Sequence, residues 1–130
     1  GYAAEDFDWC RNKFGKNNVI TAEEIWGKSL TGLMERIRSH IGETIPVYLS
    51  YDIDSLDPAF APGTGTPEIG GPNAFQAQQA IRALRGVDLV GADLVEVSPP
   101  FDQSGGTAWL GVSLMFELMC VLAESIDRRR

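Results

Sequence analysis

Histidine and cysteine, two side chains that often bind transition metals, are nearly absent from this sequence of 130 residues, which has one His and two Cys. Cys10 and Cys120 lie far apart, and their spacing matches neither a zinc site nor a disulfide framework. Cys120 stands in an apolar run and is expected to be buried as a small hydrophobe. This cysteine usage favours a reducing compartment, cytoplasmic or mitochondrial, for a protein whose location is otherwise unknown.

Basic residues are also few, with 11 Lys and Arg against 18 Asp and Glu and a net charge of -7. Nucleic acids and anionic membranes are bound through clustered Lys and Arg, so neither is expected as a partner. The run Arg128-Arg129-Arg130 is short and is interpreted as a solvated end. No signal peptide and no membrane span are expected, because Glu117 interrupts the longest apolar stretch.

What the sequence does contain is an alternation of helical and extended patterns, within an apolar fraction of 44% that is ordinary for a globular protein. Thr21 with Glu24, and Asn73 with Gln76, have the spacing of capping boxes at helix starts. The predicted elements are a helix over 3–11, a short strand over 18–21, a helix through Leu30 to Ile41 that ends at Gly42, a strand over 46–53, a helix from Asn73 to just before Gly86, a strand over 87–97, and a helix over 107–125.

This order of elements predicts an α/β fold with parallel strands near Val19, Leu49 and Leu94. The helix over 107–125 is apolar on most of its surface and is expected to be buried against the sheet. In open parallel sheets, ligands bind outside the carboxyl ends of the strands. The chemistry is therefore expected in the two loops that follow Asp52 and Glu96.

Asp52 and Asp54 form an Asp-x-Asp pair at the end of the first long strand. In extended chain, alternate residues point to the same side, so both carboxylates can face one point. Hard divalent cations such as Mn²⁺ and Mg²⁺ favour oxygen ligands, and a cation relieves the repulsion between the two charges. The alternative is an acidic loop start with one Asp that caps the turn, and the pair alone does not decide between them.

Four further polar residues are candidates for lesser roles. Asp57, before Pro58, is interpreted as a turn-former rather than a ligand. Asp102 either touches the substrate or caps the following helix. Asp93 points away from Glu96 by strand parity and is expected to be structural. His40 is expected to be a surface histidine at a helix end rather than a ligand.

Longer motifs show a specific resemblance. The run 50–71, spelled SYDIDSLDPAFAPGTGTPEIGG, closely resembles the signature of the ureohydrolases, the arginase and agmatinase family. The run 95–102, VEVSPPFD, is similar to the second motif of that family, and the segments 22–30 and 116–122 are also similar to agmatinases. The resemblance extends over nearly the whole chain.

The resemblance implies a three-layer, arginase-like α/β fold with a mainly parallel sheet, of which residues 1–130 form the C-terminal part. It implies that Asp52 bridges two Mn²⁺ ions and that Asp54 is a ligand of one of them. It further implies that Glu96 receives the guanidinium of the substrate, that Thr66 helps to orient Glu96, and that the complete protein is a homo-oligomer.

The resemblance also implies a substrate. The loop 61–68 and the stretch 97–100 look more like those of agmatinases than of arginases, which implies hydrolysis of agmatine to putrescine and urea, a step of polyamine metabolism. The acidity of the chain, and the lack of Lys or Arg between Ser50 and Arg82, also favour a substrate whose far end is an amine. Guanidinobutyrate and arginine are the alternatives.

The other metal ligands of the family lie in Asp-Ala-His and Gly-Gly-Asp-His motifs, which this chain does not contain. Isolated residues 1–130 are therefore expected to be inactive. Two interpretations follow: a part of a working amidinohydrolase, or a non-catalytic product of the same fold that acts as a structural or interaction module.

Overall fold

The computed structural model describes residues 3–130, which form five α-helices and two β-strands. In chain order these are α1 (Ala4–Phe14), α2 (Ala22–Ile25), α3 (Thr31–Ile41), β1 (Val47–Asp52), α4 (Ala74–Arg82), β2 (Leu89–Val95) and α5 (Gly106–Arg128). Three 3₁₀ turns cover Lys16–Asn18, Ile53–Ser55 and Pro99–Phe101.

The two strands are parallel, as the sequence predicted, and α4 lies between them in the chain. In their register Ser50 pairs with Asp93 and Asp52 pairs with Val95. Because parallel strands end at the same edge of a sheet, the loops after Asp52 and Val95 leave from neighbouring points. The topology therefore brings together the two loops that were predicted to carry the chemistry.

Side chains at helix ends fix two of the helix starts. The Asn73 Oδ1 accepts from the Gln76 N–H at 2.8 Å, and the Gln76 Oε1 accepts from the Asn73 N–H at 3.0 Å, so the predicted capping box of α4 is confirmed. The Thr21 N–H donates to the Glu24 Oε1 at 3.2 Å, and this box starts α2, a helix of one turn only. α3 ends at Gly42, whose φ of 76° suits glycine.

The predicted strand over 18–21 is wrong. Its first residue belongs to the 3₁₀ turn Lys16–Asn18. Although Val19 and Thr21 have extended backbones, the β-pairing within residues 3–130 consists of β1 with β2 and one isolated bridge between Thr64 and Val97. A strand requires a neighbour that accepts and donates its backbone hydrogen bonds. The part of the chain that the structure describes supplies no such neighbour for this segment.

The core lies between one face of the sheet and the helices α4 and α5. Its largest fully buried apolar side chains are Ile53, Leu56, Ile81, Val87, Leu89, Leu114 and Leu118. Arg82 of α4 donates from Nε to the Glu117 Oε2 at 2.9 Å, and this hydrogen-bonded ion pair lowers the pKa of the Glu117 carboxyl. The charge that interrupts the apolar run of α5 thus joins α5 to α4.

The outer face of α5 is exposed, contrary to the prediction that most of this helix is buried. Trp109 is 74% exposed, Phe116 60% and Met119 55%, and Cys120, expected to be buried, is exposed as well. By length and composition alone α5 suffices to cross a membrane, with a mean hydropathy of 1.6, although the sequence predicted no span. Core helices of soluble proteins meet the same criterion, and α5 packs on β2 and α4.

The three C-terminal arginines are exposed, as expected for a solvated end, but two of them also donate hydrogen bonds to the start of β2. Arg128 donates from Nη2 to the Val87 carbonyl at 2.7 Å. Arg129 donates from Nε to the Asp88 carboxylate and from Nη2 to the Leu89 carbonyl, both at 2.6 Å. The end of α5 therefore holds the start of β2 in place.

We expect residues 1–130 alone to be poorly soluble or oligomeric. Trp109, Phe116 and Met119 expose apolar surface on one helix, and β1 and β2 each keep one unpaired edge within the described residues. Exposed apolar patches and open sheet edges both promote association. Size-exclusion chromatography with light scattering measures this, and a monodisperse monomer that melts cooperatively would contradict the prediction.

Candidate active site

The two candidate metal ligands lie at the end of β1, but in different environments. Asp52 is the last residue of the strand and is exposed, while Asp54 lies in the following 3₁₀ turn and is only 8% exposed. The Asp52 Oδ1 accepts a hydrogen bond from the Asp54 N–H at 2.9 Å. Because the strand ends at Asp52, strand alternation does not extend to Asp54, and Asp52 caps the 3₁₀ turn, as the alternative interpretation of the pair predicted.

One carboxylate oxygen of Asp54 has a partner and the other does not. The Thr66 hydroxyl donates to Oδ2, whereas Oδ1 is buried without a hydrogen-bond partner among residues 3–130. A buried carboxylate oxygen that lacks both water and a donor is unfavourable, and a cation removes that penalty. Oδ1 of Asp93 is buried without a partner among these residues as well, so it is the position of Asp54 beside Asp52 at the end of β1, together with its unpaired oxygen, that fits a divalent metal ion.

The residues present supply only part of a metal site. Within residues 3–130 no group of three or more His, Cys, Asp or Glu side chains is placed to hold a metal ion. Hard divalent ions take about six oxygen or nitrogen ligands, several of them charged. Asp52 and Asp54 thus fit such an ion as part of a larger ligand set.

Glu96 follows β2 directly and has an unusual backbone. Its φ of 68° lies in the left-handed region, and among the described residues it is the one non-glycine residue there. The side chain is exposed at the same sheet edge as Asp52. A strained backbone at an exposed carboxylate is a common feature of functional sites.

The threonine hydroxyls of the β1 loop differ from the expectation. Thr66 was expected to orient Glu96, but its hydroxyl donates to Asp54. The hydroxyl that reaches Glu96 belongs to Thr64, which donates to the Glu96 main-chain carbonyl at 3.0 Å. Sequence reasoning missed Thr64. The repeated Gly-Thr at 63–66 could have indicated two hydroxyls in related roles.

Backbone contacts join the loop after β1 to the loop after β2. The Gly63 carbonyl accepts from the Ser98 N–H at 2.8 Å, and the Gly63 N–H donates to the Thr107 Oγ1 at 2.8 Å. Thr64 and Val97 form an antiparallel bridge. A Cβ at position 63 would lie 2.4 Å from the Asp102 Cβ, so this close approach requires glycine. The two loops form one connected unit.

The remaining acidic candidates have structural contacts. Asp57 accepts hydrogen bonds from the Ala59 N–H at 2.8 Å and the Gly70 N–H at 2.7 Å, and these lower the pKa of its carboxyl. The prediction that Asp57 forms a turn is thereby confirmed. Asp102 accepts from the Thr107 N–H at 3.1 Å and the Ala108 N–H at 2.8 Å, so it caps α5, the second of its two alternatives.

Asp93 and His40 lie outside this unit. Asp93 accepts from the Tyr48 hydroxyl at 3.0 Å across the sheet, a hydrogen bond that raises the pKa of Tyr48, and its structural role is supported. His40 is exposed in the last turn of α3, as predicted.

Comparison with known proteins gives the family. A model of the arginase family matches residues 1–121. The chain is 54% identical to a guanidinobutyrase of Pseudomonas aeruginosa over 98% of its own length and 39% of the relative's. It is 51% identical to a mitochondrial agmatinase of Gallus gallus over 93% of its own length and 35% of the relative's.

A solved arginase of Bacillus subtilis superposes on the chain with a TM-score of 0.82 at 30% identity, covering 92% of this chain and 42% of that one. The predicted arginase-like fold is thereby confirmed, and the chain spans well under half the length of the relatives it matches. The matched motifs, the fold and these identities together show that this chain belongs to the arginase family.

Proposed function

We propose that residues 1–130 form the C-terminal part of a metal-dependent hydrolase that releases urea from a guanidino compound. The observation that carries the proposal is the unpaired, buried Oδ1 of Asp54 beside Asp52, at the sheet edge where Glu96 is exposed. The unpaired Asp54 oxygen can bind a metal ion, and the exposed Glu96 carboxylate at the same sheet edge can bind a cationic substrate beside it. Membership of the arginase family supports the same chemistry.

In this proposal Asp52 and Asp54 would hold a pair of Mn²⁺ ions as part of a larger ligand set. A bound divalent ion supplies an activated water near neutral pH. Thr66 holds the Asp54 carboxylate in orientation by its hydrogen bond to Oδ2. In this proposal the remaining ligands lie in the part of the relatives' length that this chain does not span.

Glu96 binds the guanidinium in this proposal. A carboxylate presents two oxygens in one plane, which match the forked, planar donors of a guanidinium. Such a pair holds the substrate in one orientation. Hydrolysis of the guanidinium carbon–nitrogen bond then yields urea and an amine.

The finer substrate proposal is agmatine, with putrescine as the second product. It is supported by the acidic chain and by the absence of Lys and Arg from positions 51–81, since a carboxylate-bearing substrate requires cationic or backbone donors at its far end. The second candidate is guanidinobutyrate, favoured by the 54% identity to a guanidinobutyrase. A mitochondrial location is a further proposal, compatible with the chicken agmatinase.

The full-length protein is expected to release urea from agmatine faster than from guanidinobutyrate or arginine. The experiment measures kcat/KM for the three compounds with Mn²⁺ present. A clear preference for guanidinobutyrate or arginine would reject agmatine but keep Glu96 in its role, because all three share the guanidinium.

Residues 1–130 alone are expected to release no measurable urea, because they supply only part of the ligand set. Robust turnover by the isolated chain would contradict this. The alternative, a non-catalytic structural or interaction module, predicts an inactive protein at full length as well. The coding sequence upstream of residue 1 separates the two, since the proposal requires the histidine-bearing motifs in frame.

A further inference from the structure

We infer that Thr64 is a positioning residue for Glu96: its buried hydroxyl fixes the left-handed backbone from which the carboxylate meets the substrate. This rests on the proposed function of Glu96 but concerns a different residue. It assigns separate roles to the two hydroxyls of the β1 loop. Thr64 acts on the substrate-binding side, and Thr66 acts on the metal-binding side.

The backbone of Glu96 requires an external restraint. At a φ of 68° the Cβ of an L-residue crowds the backbone, and Glu lacks the short polar side chain that eases this for Asn and Asp. Such a conformation persists when the surrounding structure fixes it. The restraint has to act on the peptide groups that flank Glu96.

Thr64 supplies that restraint from a buried position. The residue is 3% exposed, and its hydroxyl donates to the Glu96 carbonyl at 3.0 Å. Its backbone forms the antiparallel bridge to Val97, and the Ser98 N–H donates to the Gly63 carbonyl at 2.8 Å. The Glu96 carbonyl is therefore held by the Thr64 side chain, and the next peptide group, between Val97 and Ser98, is held by the backbone of Gly63.

A substitution of Thr64 can remove its hydroxyl without disturbing the backbone bridge to Val97. Valine has nearly the shape of threonine and keeps the backbone bridge, but it removes the hydroxyl that donates to the Glu96 carbonyl. Serine keeps the hydroxyl and loses a methyl group. Thr66→Val is the matched control, since it deletes the same hydroxyl two residues away, where the acceptor is Asp54.

The test compares Thr64→Val, Thr64→Ser and Thr66→Val in the full-length protein. For Thr64→Val we expect an increase of about tenfold in KM for the guanidino substrate, with the metal content unchanged. Thr64→Ser should stay within about threefold of wild type, because the hydrogen bond is kept. Thr66→Val should lower metal content instead. Unchanged kinetics in Thr64→Val, or loss of metal equal to that of Thr66→Val, would overturn the inference.

Crystal structures of the same variants give a readout that does not depend on activity. The φ of Glu96 is expected to stay positive in wild type and Thr64→Ser and to leave the left-handed region in Thr64→Val. A positive φ in Thr64→Val would overturn the inference. A wild-type protein that releases no urea from any guanidino compound would reject the proposed function instead, and the crystal comparison would still decide the role of Thr64.

If Thr64→Val does not fold, the double variant with Glu96→Gly gives the answer. Glycine adopts a positive φ without strain, so it no longer needs the restraint. Recovery of folded protein in the double variant is then expected. Failure to recover it would overturn the inference, because the defect would lie elsewhere than at Glu96.

Discussion

In the full-length protein, Asp54→Asn is expected to lose bound manganese and about a thousandfold in urea release together. The amide keeps the shape of the side chain and an oxygen for the Thr66 hydroxyl, but it removes the charge that a divalent ion requires. Asp54 is buried and one of its oxygens has no partner among the described residues, so its charge is not needed for any protein contact there. Asp52→Ala is expected to give the same joint loss.

The matched control is Asp57→Asn, the same substitution three residues along the same loop. Both oxygens of Asp57 accept backbone N–H groups, from Ala59 and from Gly70. This variant should lose stability through a weakened turn and keep its metal. Elemental analysis of the purified proteins gives the metal stoichiometry beside the rate of urea release. An unchanged stoichiometry in Asp54→Asn would remove Asp54 from the ligand set.

Local signals in the sequence predicted the parts of the fold that depend on near neighbours. The capping box of Asn73 and Gln76 and the stop at Gly42 lie within a few residues of the helix ends that they define. The parallel pairing of β1 and β2 followed from a strand, a helix and a second strand in sequence. Asp57 as a turn-former needed only its place before a proline.

Features that depend on distant neighbours were not predictable in the same way. The segment 18–21 has the composition of a strand, but within residues 3–130 it has no strand to pair with. The apolar pattern of α5 indicates a buried helix, yet composition does not say which segments cover each side, and Trp109 and Phe116 are exposed. Arg129 contacts Asp88 at a separation of 41 residues.

The same distinction between near and distant neighbours applies to the candidate site. Family motifs identified Asp52, Asp54 and Glu96, and the topology brings the two loops that hold them to one edge of the sheet. The positive φ of Glu96 and the partner of the Thr64 hydroxyl have no local signature, because both arise where the two loops meet. The partner of the Thr66 hydroxyl could likewise be read only from the structure.

Glu96→Gly is expected to lower kcat/KM of the full-length protein about a thousandfold without lowering its stability. Loss of the carboxylate leaves the guanidinium without its charged partner, an effect of about 2–5 kcal/mol for close charge pairs. The backbone effect has the opposite sign. Glycine relieves a left-handed strain of about 1–2 kcal/mol, which offsets the roughly 1 kcal/mol that glycine adds to the entropy of the unfolded chain.

Ser98→Gly is the matched control for the backbone effect, because Ser98 has an extended backbone with a φ of -115° and lies two residues away. There glycine relieves no strain, so the free energy of unfolding should fall by about 0.5–1 kcal/mol. Urea denaturation of the two variants beside wild type measures the difference, and kinetics on the same samples give kcat/KM. A loss of stability in Glu96→Gly as large as that in Ser98→Gly would show that residue 96 is not strained. A kcat/KM near that of wild type would show that the Glu96 carboxylate does not bind the substrate.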